Sequence, residues 1–291
     1  MPRPRLHLGQ IEVTAAVVRR LLAQAPEFAD ETLREVASTG TVNALYRVGE
    51  RALARLPIMA EWSDAIAEAE TLALVAPRLT VQVPGVLHLG TPDAAYPKSW
   101  LLLTWLDGVT ATPGAGGPEL ADDLAAFLGD VWRLPTEDAR AGYRQGLSRH
   151  DAPVTESLAA AADLVDVPAL ESLWADTLAA PEWPYPVRWT HGDLLAGNVL
   201  LDAKGRLRAV LDWEAAGVGD PACDLMSAWS MLDPSGRARL RERLDLDDAT
   251  WRRGRGWALA QAIIALPYYR ETNPGLAEHS LHVLGALTTE S

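Results

Sequence analysis

The sequence predicts an α+β chain in two lobes: a small antiparallel β-sheet lobe over residues 1–106 and a mostly helical lobe over 107–291. Three observations carry that expectation. Residues 30–106 hold short β-prone runs joined by very short connections, the spacing of hairpins rather than of crossovers. Beyond 107 the apolar residues recur at helical spacing over long stretches. The charge changes at the same place. Residues 1–106 carry 10 basic and 11 acidic side chains, whereas 107–291 carry 16 and 28, so −12 of the net −13 lies in the second lobe.

In chain order, Val17, Val18, Leu21 and Leu22 form a helical stripe over 13–25, with Thr14 as N-cap and Pro26 as stop. The runs 33–38, 44–48 and 53–57 read as strands. Thr39-Gly40-Thr41 separates the first pair and Gly49-Glu50-Arg51 the second. Ile66, Leu72 and Val75 place a helix over 61–76. Strands follow near 85–89 and over 100–106, where Asp107-Gly108 breaks the run. The Gly/Pro-rich stretch 112–118 is a loop, and helices are expected over 119–134, 154–165 and 169–179. The proline-rich residues 181–186 must be irregular. A compact hairpin-like block occupies 189–213, and helices fill 220–231, 235–244, 249–267 and 274–287.

Composition narrows the function classes. At 48% hydrophobic residues the chain can bury a large core. The single cysteine, Cys223, excludes a disulfide framework and a Cys-rich zinc site. The longest apolar runs, such as 101–103 and 262–267, are far short of a bilayer span, and no apolar signal segment follows Met1-Pro2-Arg3. The expectation is a soluble cytoplasmic protein with no membrane partner. The acidic balance argues against nucleic acid, which selects a basic face. Only Lys98 and Lys204 are lysines, so 24 of the 26 basic residues are arginine and a lysine-dependent site has two candidates.

The chemistry is concentrated in His191-Gly192-Asp193, Asn198, and Leu211-Asp212-Trp213-Glu214. Asp193 follows a strand and Asn198 lies five residues on, just before the apolar run 199–201. Asp212 ends the next apolar run, 209–211, and Ala203-Lys204-Gly205-Arg206 links the two. The hairpin brings Asn198 and Asp212 to one end. An amide oxygen plus a carboxylate suits Mg²⁺, a hard cation that keeps waters and takes nucleotide phosphates as further ligands. Asp193 beside them is placed to accept a proton from a hydroxyl. Taken singly, Asp-Gly and Asn-Val are turn chemistry, and a lone histidine is more often a hydrogen-bonded structural group; the combination is what points to a site.

That combination resembles the catalytic segment of protein kinases, with the same Asp-to-Asn interval and a later metal-binding Asp. With His191-Gly192-Asp193 and Leu211-Asp212-Trp213-Glu214 in those positions, the chain looks like the aminoglycoside phosphotransferase family of small-molecule kinases. The resemblance runs from about Leu33 to the C-terminus and is strongest over 189–225. It implies a protein-kinase-like bilobal fold, Asp193 as catalytic base, Asn198 and Asp212 as Mg²⁺ ligands, and ATP or GTP as donor. Gly219-Asp220-Pro221 and Asp224 also match, with Asp220 and Asp224 expected to cap and brace a helix beside the site.

The resemblance also assigns the first lobe. Ser38, Thr39, Gly40 and Thr41 lie where kinases cover the phosphates with a hairpin loop, although only one glycine is present. The third strand should carry a phosphate-clamping lysine and carries Arg55 instead; arginine binds phosphate as a planar fork, so the role survives with altered geometry. Its partner should be a helix carboxylate, Glu68 or the rival Glu70. These lie about 200° apart on a helix, so only one can face Arg55. Thr104, Trp105 and Leu106 occupy the link whose backbone reads the purine edge in kinases. The acceptor is a small-molecule hydroxyl that meets Asp193 against the acidic lobe, with Glu214 and Glu271 as candidate contacts and Asp107 and Glu278 behind them. A cationic polyamine sugar, an aminoglycoside-type antibiotic, suits that charge. The alternatives are a kinase of a macrolide or an endogenous metabolite, and a non-catalytic nucleotide-binding pseudokinase. The last draws on Arg55 and is opposed by the joint presence of Asp193, Asn198 and Asp212.

Overall fold

The structure is a computed structural model that describes residues 6–59, 64–137 and 139–289. The chain packs as two units. One runs to Arg78 and resumes at Gln82–Asp107; the other comprises Leu79–Val81 and everything from Gly108. Leu79–Val81 thus leaves the lobe to which its sequence position assigns it. Thr80 donates its hydroxyl to Asp130 in a helix of the second unit, at 2.8 Å.

The first unit is built on a five-stranded antiparallel sheet. Its strands are β1 (Leu33–Glu35), β2 (Asn43–Val48), β3 (Ala52–Pro57), β4 (Val86–Gly90) and β5 (Trp100–Thr104), in the spatial order β1-β2-β3-β5-β4. Helix α1 (Ala15–Leu21) precedes them, its first turn capped by Thr14, whose hydroxyl accepts from Val17 N. Val18 and Leu21 of α1 join Phe28, Tyr46, Leu56, Trp100 and Leu102 in one buried core. The β1–β2 connection spans residues 36–42, longer than the three residues expected, because the first strand ends at Glu35.

Helix α2 (Ala65–Val75) starts at Asp64, whose carboxylate accepts from Ile66 and Ala67 N–H. Its buried face is Ala65, Glu68, Thr71, Leu72 and Val75, whereas Ile66 is 48% exposed. The apolar stripe read through Ile66 is therefore wrong at that position. Residues two apart on a helix lie about 200° apart, so turning Glu68 inward turns both Ile66 and Glu70 outward. Residues 61–63, the start of the expected helix, lie outside the described residues.

The second unit carries β6 (Val109–Thr110), α3 (Pro118–Trp132), α4 (Asp151–Ala160), α5 (Val167–Leu178), β7 (Arg188–Thr190), β8 (Val199–Leu201), β9 (Leu207–Val210), β10 (Gly217–Gly219), α6 (Met226–Met231), α7 (Pro234–Arg243), α8 (Asp248–Tyr269) and α9 (Pro274–Thr289). β8 and β9 form the expected hairpin, joined by β6. β7 does not belong to that hairpin: it pairs antiparallel with β10. The segment 220–231 is not one helix but a 3₁₀ turn, Pro221–Leu225, followed by α6. Pro267 does not stop α8, which continues to Tyr269. Two residues from the helix end, the missing N–H removes a single ladder bond. Trp189, Trp213, Trp229 and Trp257 are fully buried, and no helix among the described residues is long and apolar enough to cross a membrane.

Candidate active site

β7 delivers the chain into His191-Gly192-Asp193. Gly192 has φ +79°, and a Cβ there would lie 2.7 Å from the Ala215 carbonyl oxygen. Both facts demand glycine, which explains the departure from the His-Arg-Asp pattern. The N–H groups of His191 and Gly192 each donate to one oxygen of the Asp224 carboxylate at 2.8 Å. Asp224 therefore braces the loop rather than a helix, and the tight Pro221–Leu225 turn is what presents it. Burial raises the pKa of this fully enclosed carboxyl, against the opposing pull of His191 and the two N–H groups. Asp220 behaves as expected: it caps the turn by accepting from Ala222 N–H and pairs with the buried Arg253 at 2.7 Å.

His191 is a structural group. Its Nε2 bonds the Leu211 carbonyl at 2.8 Å, its Nδ1 accepts from Asp193 N–H at 3.2 Å, and its ring packs edge-on against Trp213 at 4.8 Å. On the other flank the hydroxyl of Ser230 accepts from Ala196 N–H at 2.8 Å and meets His279 Nε2 at 3.3 Å.

Asn198 is bound to Asp193 twice. Its Nδ2 donates to the Asp193 carbonyl at 2.8 Å and to Asp193 Oδ2 at 3.1 Å, which turns the amide oxygen away from those contacts. Leu211 N–H donates to the Asn198 carbonyl at 2.8 Å, so the turn into Asp212 begins beside Asn198. Asp212 adopts a left-handed backbone, φ +58°, which aspartate tolerates better than most residues. An amide oxygen and a carboxylate form a hard donor set that fits Mg²⁺. Among the described residues no group of three or more His, Cys, Asp or Glu could hold a metal alone, so such an ion would draw its remaining ligands from water and phosphate.

One neighbour of Asp193 has no counterpart in the sequence reading. Arg144, 8% exposed, donates through Nη2 to Asp193 Oδ1 at 3.1 Å and through Nε to the Gly192 carbonyl. It sits in the segment 140–145, which is laced to 214–218. Arg140 donates to the Glu214 and Ala216 carbonyls, and Gly142 and Tyr143 donate to Val218 and Ala215. Gly217 permits this approach, since a Cβ there would meet Gly142 N at 2.6 Å. The signals available in sequence were the glycine-flanked arginine of Gly142-Tyr143-Arg144-Gln145-Gly146 and the Gly-Val-Gly of β10.

Of the acceptor candidates, Glu214 is half-buried in the turn after Trp213, beside the loop. Glu271 is exposed beyond the end of α8, and no hydrogen bond or ion pair among the described residues joins it to Asp193. In the first unit Arg55, on β3, and Glu68, on α2, form an ion pair with both side chains almost completely buried; Glu70 is exposed. Ser38, Thr39 and Gly40 are exposed, with Gly40 N–H donating to Ser38 Oγ at 2.9 Å, and the Thr41 carbonyl meets His7 Nε2 at 2.8 Å. Thr104 and Trp105 use their N–H groups within that unit, on Gly85 and Arg51 carbonyls, and Leu106 follows. Arg47 lies over the Trp105 ring at 4.4 Å.

Residues 32–257, from β1 into α8, match the family model of the phosphotransferase enzyme family. The chain belongs to that family. The fold agrees. The GDP complex of wild-type aminoglycoside 2'-phosphotransferase-IIIa superposes with a TM-score of 0.73 at 17% identity, over 96% of this chain and 99% of that one. The apoenzyme of a macrolide 2'-phosphotransferase from Brachybacterium faecium gives a TM-score of 0.60 at 22% identity, over 92% and 96%. An uncharacterized Bacillus subtilis (strain 168) protein, YcbJ, is 36% identical over 92 residues, 32% of this chain; the match spans only 28% of that relative. The protein-kinase-like reading of the fold therefore holds for this family member.

Proposed function

We propose that this phosphotransferase moves the γ-phosphoryl group of ATP or GTP to a hydroxyl of a small molecule. The observation that carries the reading is the Asp193–Asn198 pair, bonded through both backbone and carboxylate, with Asp212 one residue beyond Leu211. The acceptor oxygen attacks the γ-phosphorus as its proton passes to the Asp193 carboxylate. The bond to the β–γ bridging oxygen breaks, leaving a nucleoside diphosphate and a phosphate monoester. Asn198 and Asp212 would hold a Mg²⁺ ion, which would supply neutralisation of the phosphate charge. In the first unit Arg55, oriented by Glu68, is the phosphate-binding cation. Ser38, Thr39, Gly40 and Thr41 form the loop that would cover the phosphates. The backbone of Thr104, Trp105 and Leu106 is the link that would read a purine edge.

An aminoglycoside-type antibiotic is the acceptor this reading puts first, because the second lobe carries −12 of the net charge. Phosphorylation of such a compound would confer resistance. A neutral acceptor, a macrolide or an endogenous metabolite, is the second reading: the Arg144 guanidinium offsets the negative charge at Asp193 itself.

The test is nucleotide consumption by the purified protein with ATP and with GTP, against aminoglycosides, macrolides and amino alcohols. Stimulation by one class identifies the acceptor, and none by any compound would make the chain a nucleotide-binding protein without turnover. Asp193→Asn is expected to cut turnover at least about a hundredfold while nucleotide binding is kept. Near-normal turnover of that variant would remove Asp193 from the role.

A further inference from the structure

Arg144 is a buried cation in direct contact with the proposed base, and its contacts join several parts of the chain. Nε bonds the Gly192 carbonyl, and Nη2 bonds both Asp193 Oδ1, at 3.1 Å, and Gln261 Oε1 of α8, at 2.5 Å. The guanidinium also lies 5.7 Å from the Trp257 ring of α8. One planar fork therefore ties the main chain of one loop residue to the side chain of the next, and ties both to α8. On the opposite side, Asn198 Nδ2 holds Oδ2. The carboxylate is gripped at both oxygens, and each keeps a second lone pair for an incoming hydroxyl.

We propose, building on the reading of Asp193 as proton acceptor, that Arg144 is a positioning residue for this reaction. It fixes the plane of the Asp193 carboxylate relative to the Gly192 backbone, and Gln261 holds the guanidinium in place. Phosphoryl transfer passes through a loose transition state in which positioning and charge stabilisation dominate. There a misplacement of about 1 Å can cost on the order of a hundredfold. Lysine could keep the charge but not the fork, because a single nitrogen at the end of a flexible stem cannot span both partners in a fixed plane.

The test compares wild type, Arg144→Gln, Arg144→Lys, Asp193→Asn and the Arg144→Gln/Asp193→Asn double variant, at saturating nucleotide and with the acceptor found in the panel. Both single Arg144 variants should lose at least about tenfold in kcat, with the nucleotide KM unchanged within about twofold. The double variant should be no slower than Asp193→Asn, since a residue acting through Asp193 has nothing left to position. Three results would overturn the proposal: wild-type kcat in Arg144→Lys, multiplied losses in the double variant, or lowered stability with normal kcat. If Arg144→Gln does not fold, Gln261→Leu strips only the outer tie and must still lower kcat at constant nucleotide KM; an unchanged kcat refutes the idea. Wild type inert with every acceptor, or Asp193→Asn as active as wild type, would sink the reading of Asp193 and this inference with it. Neither result resembles an Arg144-specific failure.

Discussion

Two residues show how little freedom the loop and the ion pair leave. Gly192 is fixed by a positive φ and by the Ala215 carbonyl 2.7 Å from where a Cβ would sit. Gly192→Ala should therefore cost about 1–3 kcal/mol, read from denaturant unfolding, and displace Asp193 with it. Arg55 and Glu68 are both nearly fully buried, so each is the charge that makes the other tolerable. Glu68→Gln leaves a buried guanidinium without its carboxylate and should lower stability by about 3–5 kcal/mol. Glu70→Gln, on the exposed side of the same helix, should change stability by less than about 0.5 kcal/mol. Equal effects in the two variants would contradict the assignment of Glu68 as the partner.

At the scale of elements, short pieces position the loop more than long helices do. β7 and β10 are three residues each, and Pro221–Leu225 is a single 3₁₀ turn. The turn puts Asp224 under two loop N–H groups, and β10 carries the segment that bears Arg144. The longer helices depend on local caps. Asp233 caps α7, its Oδ1 accepting from Gly236 N–H and from the Ser235 hydroxyl, both at 2.7 Å. The Gly236 N–H, and then Ser235, hold that carboxyl below its ordinary pKa. The contribution is therefore complete above the ordinary carboxylate range and is lost as pH falls through the lowered value. Asp233→Ala should reduce stability by about 1 kcal/mol at neutral pH. The gap between variant and wild type should close in strong acid, as thermal melts at the two pH values would show.

For the molecule as a whole, acid sensitivity is written into a partly buried histidine on α9. His279 faces Ser230 Oγ on α6 and has His282 one turn along its own helix. Burial, and then His282, lower its pKa to about 4. A folded-state pKa below the unfolded value means the native state resists protonation. Stability is then full above about 6.5 and falls as pH drops toward 4. The loss over that window should be on the order of 2–3 kcal/mol in a pH series of unfolding experiments. His279→Gln should flatten that part of the curve, and an unchanged acid slope would place the sensitivity elsewhere. The charge asymmetry belongs to the same scale: residues 107–291 carry −12 of the net −13, while the Arg144–Asp193 pair is locally neutral.

By itself the sequence determined the chemical inventory. The Asp-to-Asn interval of five, the hairpin that returns the chain to Asp212, and an arginine on the third strand are all set by spacing within one turn or one pair of strands. Spacing is legible because backbone geometry converts it directly into direction. Tertiary structure decided which distant groups those residues meet. Arg144 reaches Asp193 across 49 positions and Gln261 across 117, and Asp224 reaches Gly192 across 32. The same holds for the β7–β10 pairing and for Ile66, whose exposure follows from the burial of Glu68. No local period encodes such contacts. They form because buried polar groups must find partners wherever packing brings the chain together.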